Sequence, residues 1–351
     1  MLRRREWLAA LPATLAAHPA RALPHARLAF PRDHGSHPDH RTEWWYITGH
    51  ASAGTREFGF QVTFFRSRVD ATQAMQSRFA AKQLVFAHAA VTDVQGKRLL
   101  HDQRIARQGF GIAEAAQGDA QLQLRDWSLH RAPDGSWQAR IPAGEFTLDL
   151  RFEPTQPVLL QGAQGLSRKG PEEKQASYYY SQPQLRATGR LAVQGTSMDV
   201  QGRAWLDHEW SEELLHPEAA GWDWIGMNLD DGGALTAFRL RRKDGTALWD
   251  GGSFRAANGS TYIASRGETE FSPQRRWTSP LSKATYPVEW MVRTPADFYT
   301  VRAVVDNQEL DSRPSTGAIY WEGLADLLDS KGRRVGRGYL EMTGYAQPLR
   351  I

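Results

Sequence analysis

From residue 43 onward, apolar and polar positions alternate with period two over short runs. Trp45, Ile47 and Gly49 interleave with Trp44, Tyr46 and Thr48, while Phe58, Phe60, Val62 and Phe64 interleave with Gly59, Gln61 and Thr63. Alternation at that period marks half-buried β-strands. Residues 84–91, 121–124, 137–141, 145–152 and 186–193 continue it. So do residues 225–229, 234–240, 262–264, 288–292, 299–305, 318–324 and 338–345. Turn chemistry separates the runs: Pro133-Asp134-Gly135, Asp230-Asp231-Gly232-Gly233, Lys243-Asp244-Gly245, Asn258-Gly259 and Ser330-Lys331-Gly332. Residues 70–81, with their Ala, Gln and Met content, suit a short helix or a flap. Residues 161–174, with three glycines and a cluster of charge, read as a long loop. The pattern predicts an all-β chain of antiparallel barrels or strongly curved sheets, with Phe and Trp inside. At 351 residues it is long enough for two such units.

The densest chemistry lies in residues 204–224, AWLDHEWSEELLHPEAAGWDW. Asp207, His208 and Glu209 stand beside Trp210, and Asp223 lies between Trp222 and Trp224. Aromatic walls with a few ionisable groups set among them suit an apolar ligand, and they suit proton transfer. Ionisable groups clustered among aromatics cost stability unless they are used. Three further aromatic clusters are candidate ligand contacts: Trp44-Trp45-Tyr46, Tyr178-Tyr179-Tyr180 and Tyr320-Trp321-Glu322. For Trp44, Trp45 and Trp321, filling a core or an interface is an equal reading.

Several motifs across the chain resemble the AttH/CrtC family of bacterial lipocalin-like proteins, which includes the carotenoid 1,2-hydratases. They are AWLDHEWS with GWDW, DHGSHPDHRTEWWYITGH, FGFQVTFFR, GLSRKGP with ASYYYS, and DSRPSTGAIYWEGL with GYLEMTGY. The resemblance runs from about Phe30 to the C-terminus. It implies two tandem lipocalin-like (calycin) barrel domains packed together, here residues 25–212 and 213–351; the residues at the boundary, 212–215, read by themselves as a single helical turn. It also implies that His208 and Trp210 match a His-x-Trp pair used by the hydratases in acid–base chemistry at a double bond. Those enzymes use a tyrosine and an aspartate one strand further on. The corresponding strand here, at residues 234–242, carries Phe238 and Leu240, which leaves Asp223 as the substitute acid. Relatives of the AttH type are associated with transport systems, which implies an ABC-type partner.

Composition and missing motifs remove other classes. The chain has no cysteine and no G-x-S-x-G, so neither a thiol nor a nucleophile-elbow hydrolase is available. His208-Glu209-x-x-Glu212 lacks the second histidine of a zinc helix, and no phosphate-binding glycine motif occurs, so no cofactor is expected. His34, His37 and His40, spaced by three, could ligate a metal or belong to a loop capping a barrel end; the capping reading is preferred. The pI of about 9.3 suggests nucleic acid, but residues 1–22 carry +3 of the total +4, so no basic stripe remains. No apolar run reaches the length of a membrane span.

Residues 1–22 themselves join a basic head at Arg3-Arg4-Arg5, a short apolar run and the small-x-small site Ala20-Arg21-Ala22. They read as a signal peptide of the twin-arginine type, placing the mature protein in the periplasm. Two functions stay open: a periplasmic binder of an elongated apolar lipid or isoprenoid, or an acid-catalysed hydratase or isomerase of an isoprenoid-like olefin. Replacing Arg3, Arg4 and Arg5 with lysine is expected to strand the protein in the cytoplasm, measured by fractionation. Unchanged periplasmic yield would reject the twin-arginine route.

Overall fold

A computed structural model describes residues 23–213 and 215–349, so the leader expected at residues 1–22 lies outside the described residues. The described residues are nearly all β and fold into two large antiparallel sheets, each curled around its own core, and a two-stranded ribbon of Arg276–Thr278 with Thr285–Pro287. Nine strands carry the argument: β1 (Thr42–Ala53), β2 (Arg56–Arg68), β3 (Gln83–Asp93), β4 (Ala176–Val193), β5 (Thr196–Glu213), β6 (Ala219–Leu229), β7 (Ala234–Arg242), β8 (Ala318–Leu328) and β9 (Arg334–Met342).

The first sheet has 13 strands and runs Arg98–Arg107, β3, β2, β1, β5, β4 and then back through Phe146–Glu153 and Trp137–Pro142 to Ala113–Ala115. Its two ends approach each other, giving a nearly closed barrel. The interior is filled by Trp45, Phe58, Phe60, Phe64, Trp127, Trp137 and Phe152, as the alternation predicts. The second sheet has 10 strands, with β7, β6, β9 and β8 at its centre. Met227, Trp290, Trp321, Leu340 and Met342 fill its concave side. The chain therefore forms two tandem lipocalin-like barrels. Both interiors are packed with side chains.

The hairpins form where the turn residues lie. Asp134 accepts from the Ser136 backbone N–H, Asp244 from Thr246 and Asn258 from Ser260, each an acceptor bonding two residues on. Gly232 takes φ +94°, a left-handed conformation that a side chain would resist. Two local details differ in extent from the expectation. Only Asp70–Thr72 of residues 70–81 forms a helical turn, leaving Met75 and Phe79 exposed. Glu212 and Glu213 finish β5 as strand instead of starting a helix.

The barrels pack outer face to outer face. β5 records this along its length: in residues 196–203 one face is exposed at Ser197, Asp199, Gln201 and Arg203 while Met198, Val200 and Gly202 on the other are buried or part-buried, whereas Ala204–Ser211 are buried on both faces. One face looks into the first barrel and the other meets the second. An interdomain cluster of Tyr46, Trp205, Trp224, Phe238, Leu324 and Tyr339 fills the seam. Gly59 permits the approach, since a Cβ there would lie 2.9 Å from the Tyr339 hydroxyl and 3.0 Å from Leu324. Polar ties flank the seam: Asn228 Nδ2 donates to Ala204 O (3.0 Å), Thr92 Oγ1 donates to Gln308 (2.8 Å), and Arg337 pairs with Glu57 (3.0 Å).

Candidate functional site

A cavity of about 360 Å³ opens within this seam. Its wall follows the pleat. Trp44 and Tyr46 on β1, Thr63 and Phe65 on β2, and Phe86 and His88 on β3 enter it from one side. Trp222 and Trp224 on β6, Phe238 and Leu240 on β7, Tyr320 and Glu322 on β8, and Glu341 on β9 enter from the other. Register fixes who meets whom. Phe86, Phe65, Trp44, Glu209 and Tyr179 form one row across five strands, and Glu322, Glu341, Trp224 and Phe238 form the facing one.

The same pleat divides the residues singled out in the sequence. Trp44, Tyr46, Tyr179, Asp207, Trp222, Trp224, Tyr320 and Glu322 line the cavity. Their neighbours Trp45, Tyr178, Tyr180, His208, Trp210, Asp223 and Trp321 are buried away from it. Consecutive strand residues point to opposite faces. Asp207 and His208 therefore cannot share one pocket.

Four carboxyl groups face the cavity: Asp207 and Glu209 from β5, Glu322 from β8 and Glu341 from β9. Asp207 accepts from the Tyr179 hydroxyl (2.7 Å), the Trp205 indole (2.7 Å) and Ser181. Burial pushes it up to about 7 despite these donors, and the charge of Glu209 adds to the rise. Glu341 is also raised to about 7, by burial and then by the charges of Asp207 and Glu209. Glu322 lies directly opposite Glu341 in register. Burial first and Glu341 second raise Glu322 well above the carboxylate range. Tyr46 and Tyr320 act the other way but lose. The Tyr46 hydroxyl has no partner in hydrogen-bonding geometry, and Tyr320 bonds to His88 Nδ1 (2.8 Å). Lys169 reaches in from residues 161–174, paired with Glu209 at 2.9 Å and set over the rings of Phe238 (4.3 Å) and Tyr179 (4.6 Å).

Sequence reasoning did not find Glu341, Lys169, His88, Phe65 or Phe86 as site residues. Only Glu341 left a signal, as a lone acid between Leu340 and Met342 in an apolar strand. Phe238 and Leu240 form apolar wall, and the second barrel's acids come from β8 and β9. Asp223 does not replace them. It faces the second barrel's interior, held by Arg239 (2.7 Å), Arg241 (3.6 Å) and the Tyr345 hydroxyl (2.8 Å).

His208 belongs to a second network, at the end of the first barrel. Its Nε2 meets Glu43 Oε1 at 3.0 Å and its Nδ1 meets Asp33 O at 3.0 Å. Glu43 also binds His37 Nδ1 (2.7 Å) and the Arg66 guanidinium (2.8 Å). His37 stacks on Trp210 with centroids 3.7 Å apart, and His34 Nδ1 meets the Tyr180 hydroxyl at 2.6 Å. Donor atoms of His37, Glu43 and His208 lie within 4.8 Å of one another, a spacing a metal could use. Arg66 already supplies the positive charge beside Glu43, and His34 and His40 stand outside the group. The set therefore fits a cap over the barrel end better than a metal centre. Burial would raise Glu43, but hydrogen bonds from His208 and His37 outweigh it and hold it well below its usual value. Burial would lower His37, but Asp33 and Glu43 raise it. Burial takes His208 down to about 4, so it is neutral at pH 7.

Fold and site together define a two-barrel, lipocalin-like protein whose acidic, aromatic site lies between the barrels. A family model described as AttH-like matches residues 21–345, and the chain belongs to that family. Among solved structures it is similar to a protein assigned as AttH from Nitrosomonas europaea, with 46% identity over 93% of this chain and 99% of that one, and TM-score 0.87. Kievitone hydratase from Nectria haematococca shares the fold at 13% identity, over 91% of this chain and 93% of that one, with TM-score 0.70. CghA is similar at 16% identity, over 86% of this chain and 88% of that one, with TM-score 0.51. No curated protein matches the sequence.

Two outcomes check this electrostatic picture. Asp207 and Glu341 have folded values near 7, above their ordinary 3.8 and 4.5. Their contribution to stability is thus full below the ordinary values and is lost as pH climbs through about 7. His37, raised from 6.5, acts in the same direction. His34, His50, His88 and His208, all depressed by burial, act the other way below about pH 6.5, so the check is a difference: the melting temperature of ligand-free wild-type protein relative to Glu341→Gln is expected to fall between about pH 5 and 8, and a difference that does not change with pH would contradict it. His208→Phe leaves Glu43 short of one donor and should cost about 1–3 kcal/mol with the cavity unchanged. Loss of cavity binding per folded molecule would return His208 to the site.

Proposed function

We propose that the protein binds a small apolar molecule in the interdomain cavity, and that it does so in the periplasm in the service of a transport system. The observation that carries the binding reading is the cavity itself, about 360 Å³ walled by Trp44, Phe65, Phe86, Trp222, Trp224 and Phe238. That volume lies toward the lower end for ligand sites. A compact isoprenoid-sized body fits inside, and a longer chain must project through the mouth. Neither barrel interior competes, since both are filled by their own cores. Export rests on the basic, apolar and small-residue pattern of residues 1–22, and the transport role on family resemblance alone.

A second reading is favoured by one observation. Asp207 and Glu341 are held near 7 among aromatic faces, which is how an acid able to protonate an alkene is made. Indole faces beside it stabilise the resulting cation until water adds. On this reading the acid is Asp207 or Glu341, with Tyr179 orienting Asp207, and His208 transfers no proton. A hydratase of the same fold gives that reading an analogue and nothing more.

Titration with isoprenoid alcohols should change indole emission saturably, because Trp44, Trp222 and Trp224 touch the guest. Trp222→Ala should weaken the response. An emission spectrum indifferent to every apolar ligand below its aggregation limit would reject the binding reading. For the enzymatic reading, Asp207→Asn should lower conversion of an olefin to its alcohol by about 10²–10⁴, followed by mass spectrometry, with binding retained. No product from wild-type protein leaves binding as the function.

A further inference from the structure

Most buried acids in this protein have an internal counterpart. Glu43 has Arg66, Asp223 has Arg239, Glu209 has Lys169, and Glu309 has the hydroxyls of Tyr286 and two serines. Glu322 departs from this pattern. It is 3% exposed and lines the cavity, and its Oε1 has no hydrogen-bond partner. Glu341 faces it directly across β8 and β9, so two acids are stacked with no cation paired to either among the described residues. Like charges opposed across a sheet are destabilising, and an unpaired buried acceptor costs more still.

The surroundings suit one kind of counterpart. The ring of Trp224 stands next to Glu341 in the row, and Trp44, Tyr46 and Phe65 face it from the other barrel. Aromatic faces attract a cation whose charge is spread over carbon-bound hydrogens, and desolvation strengthens the attraction. Lys169, the cavity's cation, is already engaged by Glu209. Resting on the reading that this cavity binds an apolar molecule, we infer that its ligand is a cation with an apolar body, an amine or quaternary ammonium whose charge lies against Glu322 and Glu341.

A proton balance follows. Without ligand, burial shifts Glu322 and Glu341 toward their protonated forms. A bound cation favours their ionised forms, so binding releases protons to solvent. The other titratable groups around them are Tyr46, Tyr179, Asp207, Glu209 and Lys169 from the first barrel, and Tyr320 and Tyr339 from the second. His88 lies behind Tyr320, and burial pushes it down to about 3, so it stays neutral. The tyrosines stay neutral as well, held up by burial. Asp207, near 7, can share in the release.

The test compares three probes of equal chain length with wild-type protein: octyltrimethylammonium, 1-octanol and octanoate, read by indole emission and calorimetry. The ammonium is expected to bind at least about tenfold more tightly than the alcohol at pH 8, with octanoate weakest. Its affinity should rise with pH between 5 and 8, by up to about tenfold per unit for each proton released. Calorimetric heats in two buffers of different ionisation enthalpy count those protons. Glu322→Gln and Glu341→Gln should each weaken the ammonium about tenfold or more and spare the alcohol. Equal or tighter binding of octanol or octanoate, a flat pH profile, or folded glutamine variants that keep full ammonium affinity would each overturn the inference. Binding of octanol without the ammonium would sink this inference alone. Silence from all three probes would sink the binding reading with it.

Discussion

The structure depends on one packing event: the outer faces of two sheets close against each other and take β5 out of water on both sides. A lone lipocalin-like barrel would leave Asp207, Glu209 and Tyr179 on a wet surface. Against the second barrel the same side chains become the wall of a cavity, and their ionisation changes with them. Asp207 keeps three hydrogen-bond donors and is still raised to about 7. Desolvation therefore outweighs hydrogen bonding at this position.

Two buried polar networks in the same chain show opposite solutions to one electrostatic problem. At the first barrel's end, Glu43 is closed off by Arg66, His37 and His208, and its carboxylate is held well below its usual range. Removing one partner there leaves a buried charge exposed to its own desolvation cost, so the network ties residues 33–40 to the barrel. In the cavity, Glu322 and Glu341 have no such closure and are driven toward the neutral form. Closed networks specify structure. Open ones await a ligand or a proton.

The cavity is built on strands, and strands hold geometry better than loops do. Two rows of cross-strand neighbours set the spacing of its aromatic faces and acids, so ligand contacts are fixed before a ligand arrives. The exceptions are Lys169, from residues 161–174, Ser315 and Thr316 in the short helix Arg313–Thr316, and Leu215, Thr343 and Leu349, which lie outside the strands. Ser315 meets His88 Nε2 at 2.8 Å and bonds to Gln103, which ties that helix to the first barrel.

Much of this was legible in the sequence. Period-two alternation and Asp-Gly or Asn-Gly turns determine the strands, because a half-buried strand needs side chains of opposite polarity on its two faces. Motif resemblance identified the two-barrel architecture; the clustering of tryptophan with acids marked β1, β5, β6 and β8, and the tyrosine run marked β4, as the strands that carry the site. Adjacency in the chain then misled, since it placed His208 with Asp207 and Asp223 with Trp222 and Trp224. A strand sends neighbours to opposite faces, and sequence does not say which face meets a second barrel. The pairing of Glu322 with Glu341, and the arrival of Lys169 and Phe86, depend on cross-strand register and barrel-to-barrel packing between distant segments. The sequence alone determined that strands rich in aromatics and acids would form; only the tertiary structure decided which half of each strand was desolvated in the cavity, because burial there comes from the opposing sheet and not from the strand itself.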